Sequence, residues 1–346
     1  MRLLVRIAPV LMLVVGTAAA DIATTPGSLS IGPAFEHADL VCNCYVESLQ
    51  VRDEPIIING RSALHRRVTA TVEIIQDYKQ HVPSTSRVTV HYELDVEAGL
   101  RVRGSRAGLR EREHALLFLT EFDDHYEFTD PYIGAVRFDS LPKLSGEAGL
   151  EMLERVLVRE ATGAVRADQI KALQLLQGLS KPDAEAEAAV YPLTTSDDPE
   201  IAFPALGVLL KTKSPESVER LKYYLDGHGT GTQPIAAISV GTELGLVADA
   251  RCRKAVEALT TSRFVAIKYG AMDSLRRMRD TASAPTLINR LDDPDRSVQY
   301  VAVITLAEIF AKYDGDFAPS MYIFDKKPNY YTGIWKQWWA ERSPQN

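Results

Sequence analysis

The sequence predicts an α+β protein of two domains, a small β-barrel followed by an α-solenoid of helix-pair repeats. Three observations carry this. Apolar residues alternate with a period of two in the first part of the chain, and from about residue 148 they recur at helical spacing instead. In the helical part, small residues return at a fixed interval. Ala172, Ala205, Ala271 and Ala302 lie 33, 66 and 31 residues apart, which is one, two and one units of about 33 residues.

The chain has 346 residues, enough for two sizeable cores, with 46% apolar and 25% charged residues, as in an ordinary globular protein. Residues 1–20 read as a secretory signal peptide. Arg2 and Arg6 give a positive start, Ile7 to Val15 a short apolar core, and Ala18-Ala19-Ala20 the small residues of a cleavage site. The apolar run is too short to span a bilayer comfortably. Cleavage before Asp21 makes the protein exported, either periplasmic or secreted, with no membrane span left. The formal charge is −7, and removal of two arginines makes it −9. Such an acidic chain repels nucleic acid, which is therefore not expected as a partner.

Residues 21–37 look like a flexible lead-in, and residues 38–144 form the barrel. Leu40, Cys42, Cys44 and Val46 alternate with Val41, Asn43, Tyr45 and Glu47, so both faces of this strand carry apolar groups. Val68, Ala70, Val72 and Ile74 mark a half-buried strand, and Val88, Val90 and Tyr92 repeat its period. Ala115 to Leu119 is a continuous apolar run, hence a central strand, and shorter pieces follow at 126–128 and 136–138. Five or six such strands make a small barrel or a sandwich, and closure protects the edges of a barrel.

Ala38-Asp39-Leu40-Val41, Val72-Glu73-Ile74-Ile75 and the run Leu109 to Leu119 carry a resemblance over residues 36–142. The order of these signals resembles the netrin-like, tissue-inhibitor-of-metalloprotease-like group of OB-type barrels. The resemblance implies an OB-like barrel. Inhibitory members of that group use a cysteine at the mature N-terminus, where this chain has Asp21, so protease inhibition does not carry over.

Pro142 and Gly146 mark a boundary, and residues 148–315 form the solenoid. Ile201, Ala205, Leu206 and Leu209 share their spacing with Ile267, Ala271, Met272 and Leu275, and with Val298, Ala302, Val303 and Leu306. Asp-Asp-Pro occurs at 197–199 and 292–294, where aspartates suit a helix start and the proline its first turn. Asp168 breaks the first apolar position of its unit. The unit near Ala237 is interrupted by Gly229, Gly231, Gly241 and Gly245. This pattern resembles HEAT-type repeats, in which each helix pair buries its apolar face only by stacking on its neighbours. Residues 316–346 form an aromatic capping segment. Trp335, Trp338 and Trp339 resemble the closing W-x-x-W-W helix of bacterial repeat proteins, and either seal the last repeat or form a ligand platform.

Motifs for chemistry are sparse. Cys42, Cys44 and Cys252 are too few for a disulfide framework or a zinc site and read as buried free thiols. The seven histidines form no H-x-x-x-H or H-E-x-x-H pattern, and Asp123-Asp124-His125 fits a polar hairpin turn. No catalytic residue, cofactor or metal ligand is assigned. Arg101, Arg103, Arg106, Arg110 and Arg112 gather in one barrel loop, where they either meet an anionic envelope polymer or the acidic solenoid, or stay solvated. The expected function is non-enzymatic protein binding or scaffolding through the solenoid surface. The alternatives are a cell-envelope enzyme or accessory whose polar groups converge only in three dimensions, and an inhibitor-like module acting through the barrel.

Overall fold

The structure is a computed structural model, and it describes residues 31–58, 61–79, 86–97, 103–104, 108–129, 134–179, 181–228 and 236–342. The expected signal peptide and the lead-in up to residue 30 lie outside the described residues. Two compact units divide between Thr212 and Lys213.

In the first unit the strands are β1 (Leu40–Ile58), β2 (Arg61–Lys79), β3 (Arg87–Glu97), β4 (Arg103–Gly104), β5 (His114–Glu121), β6 (Tyr126–Phe128) and β7 (Ala135–Phe138). They pair in the order β1-β2-β3-β6-β5, and β1 returns to β5 to close the barrel. The β3–β6 pair is parallel and the others antiparallel, which is OB-type connectivity. β7 extends β5 on its other side.

The double apolar alternation of β1 has a physical reason. Leu40, Cys42, Cys44 and Val46 face the barrel core with Val72, Val90 and Leu117. Val41 belongs to a second core with Leu116, Phe118 and Phe138, into which helices pack. Those helices are α1 (Ile31–His37), α2 (Leu150–Ala161), α3 (Arg166–Gly178), α4 (Ala184–Val190) and α5 (Pro199–Leu210). Helix α1 corrects the flexible reading of residues 31–37, because Ile31 and Ala34 are buried in that shared core. Asp168 is not a tolerated defect. Its buried carboxylate accepts the Asp139 N–H just after β7 (2.8 Å) and pairs with Lys171 (2.7 Å).

The second unit contains α6 (Pro215–Gly227), α7 (Ala236–Gly245), α8 (Arg253–Leu259), α9 (Val265–Met278), α10 (Ala284–Arg290), α11 (Arg296–Ile309), α12 (Met321–Lys326) and α13 (Pro328–Ala340). Helix α9 packs between α7 and α11, and α11 in turn meets α13. The central alanines 172, 205, 271 and 302 are all fully buried. Gly241, expected to interrupt its unit, lies within α7 instead. It faces Gly270 of α9 so closely that a Cβ at Gly270 would overlap the Gly241 carbonyl oxygen. Glycine here permits a helix crossing rather than breaking a helix.

The Asp-Asp-Pro copies differ. At the first, Asp198 caps α5 and Pro199 is its first residue, as expected. At the second, Asp295 caps α11, and Pro294 precedes the cap. Asp293 is buried and holds Lys268 of α9 at 2.7 Å. Among the described residues no helix is long and apolar enough to cross a membrane.

Candidate functional site

Of the five loop arginines, Arg112 lies where β1 parts from β5. Arg101 and Arg106 are outside the described residues, and Arg103 is placed by its backbone opposite Asp95. Arg110 and Arg112 are exposed. Arg112 has a left-handed backbone (φ 65°), and its N–H donates to the Val46 carbonyl at 2.8 Å. Arg110 stands 3.6 Å from Glu113. Between the two arginines, Glu111 turns back so that its carboxylate accepts the Leu49 N–H (2.9 Å).

Beside β1 the barrel carries an open groove of about 730 Å³. Val51, Val68, Tyr92 and Phe128 supply its apolar lining, and Arg67, His91 and Glu127 are among its polar groups. Tyr92 stacks on Phe128 (ring centroids 4.8 Å), and its hydroxyl accepts the Leu109 N–H at 3.1 Å. Burial pushes the Tyr92 hydroxyl above the usual phenol range.

Three rings stack at one end of the groove. His91 of β3 lies 4.2 Å from His125, and Phe122 lies 5.4 Å from His125 on the β5–β6 turn. That turn is closed as the sequence suggested, by a Phe122 N–H to His125 carbonyl bond of 2.8 Å. No local pattern pointed to His91 there. His91 and His125 are 34 positions apart, and only the parallel β3–β6 pairing brings them together. His125 Nδ1 bonds Asp124 at 2.7 Å and Nε2 bonds Glu127 at 3.3 Å. The Asp124 carboxylate, chiefly, holds His125 above the ordinary histidine value, and the imidazolium holds Asp124 below the ordinary carboxylate value. Such a cluster can move a proton or hold a polar ligand.

Cys42, Cys44 and Cys252 are free and buried, and burial pushes the Cys44 thiol well up, away from the reactive thiolate. Among the described residues no group of three or more histidine, cysteine or acidic side chains is placed to hold a metal.

In the second unit the tryptophans divide. Trp335 is fully buried, and its indole N–H donates to the Phe317 carbonyl at 3.0 Å. Phe317 (4.8 Å) and Trp338 (5.4 Å) meet its ring edge-on. Trp338 and Trp339 are half-buried around Phe310. The outward rings are tyrosines that the sequence reading did not single out as exposed. Tyr322 is 71% exposed, Tyr313 65% and Tyr330 50%, and Ile323, next to Tyr322 in the chain, is 47% exposed.

No protein-family model and no curated protein matches the chain. Among solved structures, the crystal structure of an engineered protein is similar to 54% of this chain and 97% of its own, at 18% identity and a TM-score of 0.34. By architecture the chain is an α+β protein with a strand barrel over residues 40–138 and a helical C-terminal region.

Proposed function

We propose that this chain is an exported, non-enzymatic binding protein that contacts a protein partner through the surface of its helices. The in-register alanines and the stacking of α7, α9, α11 and α13 support a HEAT-like arrangement. The observation that carries the reading is the exposure of four large side chains in the C-terminal segment, Tyr313, Tyr322, Ile323 and Tyr330, each about half exposed or more. Tyrosine supplies large contact area at low conformational cost and is enriched in binding surfaces. Export rests on Arg2, Arg6 and Ala18-Ala19-Ala20.

A photo-crosslinking side chain placed at Tyr322 or Tyr330, in the native host, tests this. One discrete protein adduct at both positions, absent when the crosslinker replaces exposed Glu216 on α6, is the expected outcome. No adduct, or the same adducts from all three positions, overturns it.

A second reading, an envelope enzyme, is favoured by the convergence of His91, Asp124, His125 and Glu127 beside the groove. It predicts turnover of an envelope substrate that is lost in His125→Ala.

A further inference from the structure

Strand β1 has nineteen residues, yet its pairing with β5 ends at Tyr45 opposite His114. From Ser48 to Ile58 it is bonded on one side to β2, and no described strand pairs with its other side. The register shift between Val46 and Ser48 decides which groups look outward. Before it, the Val46 N–H donates to Glu113 on the β5 side. After it, the Leu49 N–H points away from β2, since the Glu111 carboxylate reaches it. Alternation then turns the backbone groups of Leu49, Val51, Asp53, Pro55 and Ile57 toward the open edge. Pro55 falls on this series, where a missing N–H breaks no ladder bond.

The result is a short open rail with defined ends. Glu111 covers the first donor and Pro55 removes the fourth. Between them Val51 and Asp53 present a donor and an acceptor each, and Leu49 adds an acceptor. Val51 is 53% exposed and its side chain lines the groove with Tyr92 and Phe128.

Charge selects what lies on the rail. The acids around it are already taken: Glu47 by Arg87 (2.8 Å), Asp53 by Arg66 (2.8 Å) and Glu54 by Arg67 (3.3 Å). The exposed cations here are Arg52 on the rail and Arg112, whose backbone N–H donates to the Val46 carbonyl just before it, while Arg110 close by in the chain is paired with Glu113 (3.6 Å). Glu111 is therefore an internal stand-in, a carboxylate resting on a strand donor among arginines.

We propose that the β1 edge from Leu49 to Asp53 takes an extended acidic peptide segment of another protein by β-strand addition, its alternate apolar side chains entering the groove beside Val51. The incoming strand displaces Glu111 from the Leu49 N–H. This site is separate from the tyrosine surface of the helical unit and does not rest on it.

The test uses the full chain and N-acetylated octapeptides of alternating valine with glutamate or with lysine, followed by fluorescence anisotropy and amide chemical shifts. The glutamate peptide is expected to bind at least tenfold tighter than the lysine peptide and to shift and protect the Val51 and Asp53 amides. N-methylation of its alternate backbone nitrogens is expected to weaken it at least tenfold. Arg52→Glu with Arg112→Glu reverses the charge preference. Glu111→Ala, which frees the Leu49 donor, strengthens binding severalfold, an effect that a merely structural Glu111 would not produce. Equal binding of the N-methylated peptide, no preference for glutamate, or no binding at millimolar peptide overturns the proposal. So does self-association through this edge that the glutamate peptide fails to reverse.

Discussion

His125 sits between two carboxylates on an exposed turn, and its charge has a defined consequence for stability. Its folded pKa is raised, chiefly by Asp124, so its contribution is fully present below the ordinary histidine value of about 6.5 and is lost as pH rises through the raised value. Asp124 is lowered, so its contribution is present above about 3.9 and is lost as pH falls through the lowered value. The pair therefore supports the turn most between roughly pH 4 and 6.5. An NMR titration of the His125 ring is expected to give a midpoint above 6.5, and Asp124→Asn to bring it down. A midpoint that ignores Asp124→Asn contradicts the pairing. At this scale the sequence was least informative. Asp123-Asp124-His125 announced a turn through its polarity, but nothing local linked it to His91. Asp168 looked like a flaw because its partner, the Asp139 N–H, lies 29 positions away in another element.

Elements were legible where one face meets apolar neighbours. The strands at 68–74 and 88–92 alternate because one face is buried, whereas 40–46 and 115–119 carry apolar residues on both faces because both are buried. The outer half of β1 was not legible, since Ser48, Gln50, Val51, Arg52 and Asp53 are all exposed and no face selects apolar residues. Gly241 misled for the opposite reason, because a close helix crossing, here against Gly270, and a helix break both favour glycine. The aromatic C-terminal helix left two roles open, and burial separates them. Trp335→Ala removes a fully buried indole and its bond to Phe317, so a loss of about 3–5 kcal/mol is expected. Tyr330→Ala, on an exposed ring, is expected to change stability far less. Thermal unfolding of the two variants checks this, and equal shifts contradict the division of inner and outer rings.

At the scale of the whole chain, barrel and helices were predictable in order and type, but not how the first helices are used. Residues 38–144 read as a self-contained barrel because the period changes at about 148. The structure gives Val41, Tyr78, Leu116, Phe118 and Phe138 a common core with Met152, Leu153, Val156 and Leu157. A fragment ending at residue 144 exposes that face and is expected to lack a cooperative unfolding transition, whereas a fragment ending at Thr212 keeps one. A cooperative transition in the shorter fragment contradicts the shared core.

The central claim is that binding, rather than chemistry, resides on the helical surface that carries Tyr322 and Ile323. The most direct measurement is the affinity of Ile323→Asp for the protein captured at Tyr322, taken together with its melting temperature. The expected result is a loss of about 30-fold, corresponding to the ~2 kcal/mol of a binding hot spot, with an unchanged melting temperature. Full affinity in this variant, at unchanged stability, would contradict the account.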